Sequence, residues 1–278
     1  MIYVILYEEN NWKGESVDNR KKIVDKVYNN YDEDARLVKS RHGQLEYFTT
    51  MTYIDKYIKN KMKILEIGAG TGRYSITLAK KGMDVTSVEY VKHNLQVLKG
   101  NAKGLKNLIA FQGDAIKLDK LEDESFDMVL SFGPMYHLYT REDQEKAIDE
   151  AIRVTKTNGI IMFAYLPVDS FIFDCYMNGN LKAGLEENFD NNYKVKQYPE
   201  QVFTGFRIKE FENLFKNKHV KKLHSATTDS ILDIMEKTKE FQMSDDEFEL
   251  FKKYHLNTCE NLEMQGISNH MLYICKKI

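Results

Sequence analysis

The chain alternates short apolar runs with helical patterns, and this alternation restricts its fold more than any other feature. The runs are MKILEI, DVTSVEY, LIAFQG, FDMVLSF and GIIMFAYL, all between residues 62 and 166. Unbroken apolar runs of this length are typical of strands that are covered on both faces. Between them, the spacing of apolar residues predicts helices at about 71–81, 91–102 and 140–155. Repeats of strand, helix and strand predict an α/β fold with a doubly wound, mainly parallel sheet.

The regions on either side of this alternation are mostly helical. Two helices are predicted before it, at 17–37 and 41–59, and the second carries its apolar residues on one face. After it, residues 168–216 have a helical or irregular pattern, VKKLHSAT predicts a strand, a helical insertion covers 229–262, and SNHMLYICKKI predicts a last strand. The chain has three prolines and no Pro/Gly-rich linker, which predicts a single domain over 1–278.

Composition excludes several classes of protein. The chain has 40 basic and 42 acidic side chains and a net charge of −2, so it lacks the basic surface of a dedicated nucleic-acid binder. Its cysteines, Cys175, Cys259 and Cys275, form no CxxC pair, which argues against zinc and predicts no metal site. We find no signal peptide and no membrane-spanning run, so we expect a cytoplasmic protein without a membrane partner. The sequence leaves the oligomeric state open.

A glycine-rich turn follows the first apolar run, in ILEIGAGTGR. Two ligands suit such a turn between a strand and a helix: a dinucleotide and S-adenosylmethionine. A nicotinamide fingerprint requires glycines at its first, third and sixth positions, whereas here Gly68, Gly70 and Gly72 are followed by Arg73 at the sixth. Glu66 lies two positions before the first glycine, where a carboxylate would face a cationic group such as an ammonium.

Two acidic residues follow at the ends of the next strands. Glu89, followed by Tyr90, ends the second strand at the distance where a carboxylate takes the hydroxyls of a ribose, and both ligands share this feature. Asp114 ends the third strand, where its carboxylate would accept from an adenine amine while the Ala115 N–H meets a ring nitrogen. Asp114 therefore favours S-adenosylmethionine.

Taken together, LEIGAGTGR, VEY, QGDA, FDMVLSFGPMYHL and EAIRVTKTNGIIMFAYL resemble the class I S-adenosylmethionine-dependent methyltransferases. The resemblance covers residues 60–167, and the GPMYHL loop is similar to that of a bacterial group within this superfamily. It implies a Rossmann-like sheet of seven strands with the last antiparallel, and S-adenosylmethionine as the cofactor. By the same resemblance, Glu66 and the glycine turn (Gly68, Ala69, Gly70 and Gly72) would hold the methionine part, Glu89 the ribose, and Asp114 with Ala115 the adenine.

Methyl transfer requires the exclusion of water, and the N-terminal helices are placed to form a lid over about 15–59. Tyr28, Tyr31 and Arg41 in this segment are candidates for contact with the cofactor, through aromatic faces and through an ion pair with its carboxylate. Ordinary helix packing explains the two tyrosines equally well. After the fourth strand, Gly133 and Pro134 form a turn that presents the candidate catalytic residues Tyr136 and His137. His137 either takes a proton from the acceptor or only holds the loop.

The sequence favours a small-molecule acceptor over RNA or protein, because the lid and the elaborations in 168–278 predict a closed pocket beside the core at 60–167. A nicotinamide-dependent oxidoreductase and a protein that binds the cofactor without transferring methyl remain alternatives. Four histidines in polar contexts are expected on the surface: His93, His219, His224 and His255.

Overall fold

The computed structural model describes residues 16–29, 31–177, 179–198, 201 and 203–278. The start of the predicted N-terminal segment, up to residue 15, and the Cys175 side chain lie outside this description. The helices are α1 (Ser16–Tyr28), α2 (Arg41–Tyr57), α3 (Arg73–Lys80), α4 (Lys92–Asn101), α5 (Arg141–Val154), α6 (Val168–Phe171), α7 (Leu181–Asn188), α8 (Ile208–Asn213), α9 (Leu232–Met235), α10 (Asp245–Thr258) and α11 (Leu262–Gln265). The strands are β1 (Lys63–Ile67), β2 (Asp84–Glu89), β3 (Leu108–Gln112), β4 (Phe126–Ser131), β5 (Thr155–Pro167), β6 (Gly205–Phe206), β7 (Val220–Thr227) and β8 (Met271–Lys277).

The strands form one mixed sheet in the order β3-β2-β1-β4-β5-β8-β7. The first five strands pair in parallel, and β8 runs antiparallel to both of its neighbours. The predicted doubly wound sheet with an antiparallel last strand is therefore confirmed. An additional two-residue strand, β6, pairs with the end of β5 and makes eight strands where seven were expected. Because β2 and β4 flank β1, the winding direction reverses at β1, and a crevice forms at the carboxyl ends of these strands.

Apolar side chains cover both faces of the sheet, as the unbroken runs predict. Adjacent strand residues point to opposite faces, so Ile64 and Leu65 belong to different core clusters, and both are fully buried. Helices α5 and α8 pack on the face of Leu65, and α2 and α3 pack on the face of Ile64. Each such side chain contributes about 1.5–3 kcal/mol through burial, which fixes the strand register.

The N-terminal segment differs from the predicted helix over 17–37. Helix α1 ends at Tyr28, and a short 3₁₀ helix follows at Glu33–Ala35. The Asp32 side chain accepts a hydrogen bond from the Ala35 N–H at 3.3 Å, and such side-chain bonds compete with helical backbone bonds. The prediction of one continuous helix was wrong, because Asp32 starts a new turn.

Helix α2 begins against the segment that precedes it. The Ser40 side chain accepts from the Gly43 N–H at 3.1 Å and caps the helix. A Cβ atom at Gly43 would lie 2.3 Å from the Arg36 carbonyl oxygen, closer than any real contact. Glycine at this position therefore allows the chain around Arg36 to cross the first turn of α2.

One of the four histidines expected on the surface is buried. His255 lies on the inner face of α10 with no exposed surface, and burial lowers its pKa to about 4. It is therefore neutral at physiological pH. The prediction was wrong because polar neighbours in sequence do not reveal which face of a helix packs inward. His93 and His219 are exposed as expected, and His224 is half-buried.

Candidate active site

A cavity of about 490 Å³ opens at the carboxyl ends of β1, β2, β3 and β4, where the winding of the sheet reverses. Helix α1, the chain at 31–36 and the start of α2 cover it. The predicted site residues that line it are Tyr28, Tyr31, Gly68, Gly70, Glu89, Tyr90, Asp114, Ala115, Tyr136 and His137. Four predicted residues do not line it: Glu66, Ala69, Gly72 and Arg41.

The floor of the cavity is the glycine turn after β1, packed against the loop after β4. Gly68 has a φ of +77°, and a Cβ atom there would lie 2.7 Å from Pro134 Cδ. Its N–H donates to the Val88 carbonyl at 2.8 Å, which also joins the turn to β2. The absence of a side chain at Gly68 therefore brings the ends of three strands together.

Glu89 is buried at the end of β2 and connects two backbone segments of the cavity wall. Its Oε2 accepts from the Gly70 N–H at 2.7 Å, and its Oε1 accepts from the Val91 N–H at 2.8 Å. Burial raises its pKa to about 7, although these amide bonds act in the opposite direction. A carboxylate accepts about four hydrogen bonds, so Glu89 retains capacity for the hydroxyl groups of a ligand.

Glu66 lies below the glycine turn and away from the cavity. Its Oε2 accepts from the Ser75 N–H at 2.9 Å and from the Ser75 hydroxyl, and Ser75 Oγ lies 2.6 Å from Ser87 Oγ. Burial raises the pKa of Glu66 to about 8. In this position Glu66 connects β1 to the first turn of α3 and supports the turn from behind.

At one end of the cavity, helix α1 is joined to the loop after β3. Arg20 forms an ion pair with Asp114, and its guanidinium lies 5.0 Å from the centre of the Tyr90 ring. Ala115 lies beside this pair in the cavity wall. Asp114 and Ala115, the residues predicted to bind adenine, therefore lie together, and Arg20, which was not selected from the sequence, covers them.

The second arginine at the cavity is Arg36, which lies between two glutamates of the covering segment. Its Nε donates to Glu33 Oε1 at 3.0 Å, and its Nη1 donates to Glu46 Oε2 at 2.6 Å. Glu33 lies over the glycine turn, since a Cβ atom at Gly70 would be 3.4 Å from Glu33 Cγ. Burial raises the pKa of Glu33. Arg36 thus holds a carboxylate above the turn.

Arg41, the arginine selected from the sequence, points elsewhere. It forms an ion pair with Asp245, and its guanidinium lies 4.7 Å from the centre of the Phe248 ring. Both partners belong to the start of α10. Arg41 therefore joins α2 to the C-terminal insertion, five residues beyond the arginine that lines the cavity.

The two candidate catalytic residues lie on the 3₁₀ turn at Pro134–His137. The Tyr28 hydroxyl lies 3.0 Å from His137 Nε2, and the Phe203 ring lies 5.2 Å from the imidazole. Burial raises the pKa of Tyr28 and of Tyr136, so both hydroxyls keep their protons. A Tyr28 hydroxyl that donates to Nε2 selects the tautomer with the proton on Nδ1.

The far end of the cavity contains further charged groups near the start of β8. His270 Nδ1 lies 2.7 Å from Asp229 Oδ2 and 3.8 Å from Glu46 Oε2. Burial alone would lower its pKa, but Glu46 and Asp229 raise it to about 9, so His270 carries a positive charge at neutral pH. Asp229, Asp233 and His270 place oxygen and nitrogen atoms within 4.8 Å of one another, a spacing that a metal ion could use. The expected absence of a metal stays a prediction.

Seven charged residues of the cavity were not selected from the sequence: Arg20, Glu33, Arg36, Glu46, Asp174, Asp233 and Lys237. A local signal existed for two pairs, since Glu33 with Arg36 and Asp233 with Lys237 have the three- and four-residue spacings of helical ion pairs. Arg20 gave no local signal, because its partner in the cavity, Asp114, is brought to it by tertiary packing.

Comparison with known proteins decides the family. The family model described as a methyltransferase domain matches residues 58–238, which is more than half of the chain. The chain belongs to this family. The match begins just before β1 and ends after α9, so it contains every strand that contributes to the floor of the cavity.

Relatives support the same assignment. A demethylmenaquinone methyltransferase of Staphylococcus aureus is 32% identical over 183 residues, which are 56% of this chain and 74% of that protein. A ubiquinone biosynthesis O-methyltransferase of Pelagibacter ubique is 31% identical over 122 residues, 43% of this chain and 48% of that protein. The chain spans about half the length of the first curated relatives it matches.

Among solved structures, phosphoethanolamine N-methyltransferase 1 of Haemonchus contortus, in complex with phosphoethanolamine and S-adenosylhomocysteine, superimposes with a TM-score of 0.60. The identity is 16%, and the match covers 94% of this chain and 48% of that one, so it shows the fold alone. The predicted class I methyltransferase with a Rossmann-like sheet is confirmed. Family and fold support S-adenosylmethionine, rather than a nicotinamide dinucleotide, as the cofactor. Among the described residues, no helix has the length and apolar character to cross a membrane.

Proposed function

We propose that the protein transfers a methyl group from S-adenosylmethionine to a small-molecule acceptor. The cavity carries this proposal, because its volume of about 490 Å³ lies in the range of small-ligand sites and it is covered by residues from 20–29 and 31–46. A cover of this kind favours a small acceptor over RNA or protein. The relatives named for quinone methylation are consistent with a small acceptor.

The cofactor half of the cavity is the part with Glu89 and Asp114. We assign Glu89 to the ribose hydroxyls, and Asp114 with the Ala115 N–H to the adenine, in agreement with their positions along one wall. The ammonium of the methionine part is assigned to Glu33, which lies over Gly70, in place of Glu66. Among the arginines, Arg36 replaces Arg41 as the candidate partner of a cofactor carboxylate.

The remaining predicted residues have supporting roles in this proposal. Gly68 and Gly70 bring backbone close to the ligand, whereas Ala69 and Gly72 shape the turn from outside the cavity. Tyr28, Tyr31 and Tyr90 present aromatic groups to it. Aromatic faces attract cations, including a sulfonium.

Bound S-adenosylmethionine would supply a methyl group that its sulfonium already activates. The protein then has to align the acceptor and exclude water. In the proposed single domain, residues 15–59 act as the lid, 60–167 form the cofactor core, and 168–278 complete the acceptor side. The ion pair of Arg20 with Asp114 and the contact of Tyr28 with His137 join this lid to the core at two places.

His137 is the proposed proton acceptor. Its Nε2 lies 3.0 Å from the Tyr28 hydroxyl, and a neutral imidazole can take a proton from a hydroxyl or ammonium acceptor. Tyr136, on the same turn, forms the adjacent wall and orients the acceptor.

Calorimetry tests the proposed function directly. The purified protein is titrated with S-adenosylmethionine, S-adenosylhomocysteine and NAD. We expect both sulfur compounds to bind and NAD not to bind. Binding of NAD without binding of either sulfur compound would refute the proposal.

A further inference from the structure

A group of ten ionisable residues, which we call the charged cluster, extends from the lid to the acceptor side of the cavity. They are Glu33, Arg36, His42, Glu46, Asp174, Asp229, Asp233, Glu236, Lys237 and His270. Eight of them line the cavity, and the other two, Asp229 and Glu236, contact His270 and His42 from behind. The cluster joins the lid, the turn after β7, helix α9 and the start of β8.

Short contacts connect the members of the charged cluster. His42 Nδ1 lies 2.5 Å from Glu236 Oε2, and His42 Nε2 lies 3.5 Å from Asp233 Oδ1. Lys237 Nζ lies 3.0 Å from the same Asp233 oxygen and also pairs with Asp174. Positive neighbours lower the pKa of Asp233 to about 2, against the effect of burial, so this carboxylate is ionised.

The charged cluster has more negative than positive groups. Six carboxylates face four basic side chains in the described part of the chain, so the excess is negative even when both histidines are protonated. If Glu33 is matched by the ammonium of the cofactor and Arg36 by its carboxylate, five carboxylates still face three bases. Arg41 does not change the balance, because Asp245 pairs with it.

An unpaired hydrogen-bond acceptor lies in the same place. Asn269 lines the cavity and is 5% exposed, and its Nδ2 donates to Asp233 Oδ2 at 2.6 Å. This bond fixes the orientation of the amide, and Asn269 Oδ1 then has no hydrogen-bond partner among the described residues. A buried acceptor without a partner is unfavourable, and a donor on a ligand would offset that cost. The site therefore lacks a donor as well as positive charge.

We infer that the methyl acceptor is a small amine, which enters as an ammonium ion and is held by Glu46 and Asp233 with Asn269 Oδ1. The inference rests on the proposed function and gives it a substrate class. An ammonium supplies both the positive charge and the N–H donors that this end of the cavity lacks. The rings of Tyr136 and Phe203 line the same end and favour a cation over an anion.

Transfer to an amine requires one proton to leave first. The ammonium nitrogen gives a proton to the Tyr28 hydroxyl oxygen while that hydroxyl passes its own proton to Nε2 of His137, and the nitrogen becomes neutral, with a free lone pair. This lone pair forms the new bond to the methyl carbon, the bond from that carbon to sulfur breaks, and its electron pair stays on sulfur as a neutral thioether. The methylated nitrogen is again a cation, so the charged cluster faces a positive group before and after the reaction.

Matched ligand sets test the substrate class. The protein saturated with S-adenosylhomocysteine is titrated, with detection by ligand-observed NMR, against 2-phenylethylamine, 2-phenylethanol and phenylacetate, and against butylamine, butanol and butyrate. We expect the amine of each set to bind at least tenfold more tightly than the alcohol and the acid. Equal or tighter binding of the alcohols or acids, or no binding of either amine, would overturn the inference.

Variants locate the binding. Asp233→Asn and Glu46→Gln should each weaken amine binding at least fivefold. The affinity of Asp233→Asn for S-adenosylhomocysteine should stay unchanged, and the surface variant Asp119→Asn should have no effect. If both cavity variants bind the amine as tightly as the parent protein does, the assignment of the amine to Glu46 and Asp233 is wrong. Mg²⁺ or Mn²⁺ binding that Asp233→Asn abolishes, without amine binding, would instead indicate a metal site. If the parent protein does not bind S-adenosylhomocysteine, the proposed function itself is refuted. Failure of the amine titrations alone would refute only the inference that the acceptor is an amine.

Discussion

Glu66→Gln should make the protein more stable at alkaline pH, although it replaces a residue of the glycine motif. Glu66 is 2% exposed and accepts two hydrogen bonds from Ser75, and no basic group is among the causes of its pKa shift. A carboxamide oxygen can accept the same two bonds. The substitution therefore removes a buried titratable group and keeps its contacts.

The size of the stability change follows from the pKa of Glu66, which burial raises from 4.5 to about 8. Between these values the native protein holds a proton that the unfolded chain has lost, so the free energy of unfolding falls by about 1.4 kcal/mol for each pH unit. Across the whole interval the loss is on the order of 4–5 kcal/mol, a large part of the roughly 5–15 kcal/mol that stabilises a domain. Glu66→Gln should abolish this part of the pH dependence.

Urea unfolding at pH 5, 6, 7, 8 and 9, at constant ionic strength, measures the effect. The stability curves of the parent and of Glu66→Gln should diverge with rising pH, in favour of the variant. The exposed Glu263→Gln serves as the matched control and should run parallel to the parent. Parallel curves for Glu66→Gln, or lower stability of that variant at pH 9, would refute the reasoning. Its affinity for S-adenosylhomocysteine should be unchanged, and a tenfold loss would return Glu66 to the cofactor site.

Three further predictions concern the cavity. Glu89→Ala should raise the Kd for S-adenosylhomocysteine by roughly 10- to 150-fold, the equivalent of about 1.5–3 kcal/mol for charged hydrogen bonds; unchanged affinity in a folded variant would remove Glu89 from the site. Amide exchange over 16–29 should slow when S-adenosylhomocysteine is added, and Arg20→Ala, which breaks the pair with Asp114, should reduce that protection; equal exchange with and without ligand would contradict a lid. With an acceptor identified, His137→Gln should lower kcat about a hundredfold or more with little change in cofactor affinity, whereas turnover at the parent rate would exclude a base.

Much of the fold could be predicted because its signals are local. The run KILEI is apolar on both faces, so it had to be a covered strand. The break after Tyr28 was missed because Asp32 acts through a side-chain bond that helical periodicity does not show. His255 was misplaced because the inward face of α10 is set by its contact with the rest of the fold.

The site was predictable where it lies at strand ends and unpredictable where distant segments meet. Glu89 and Asp114 follow apolar runs, and parallel strands bring their carboxyl ends to one edge. Arg20, in contrast, is 94 positions from its partner Asp114, and no spacing rule connects them. Glu66 and Arg41 have suitable chemistry and occupy suitable positions along the chain, but the direction of a side chain depends on packing.

The tight crossing at Gly43 also restricts how this protein can change over evolutionary time. Any other residue there would displace the Arg36 carbonyl, and with it the guanidinium that joins Glu33 to Glu46. A single methyl group added outside the cavity would therefore reshape the roof above the reacting groups. Descendants could acquire a different substrate range by mutation at a position that never touches the substrate.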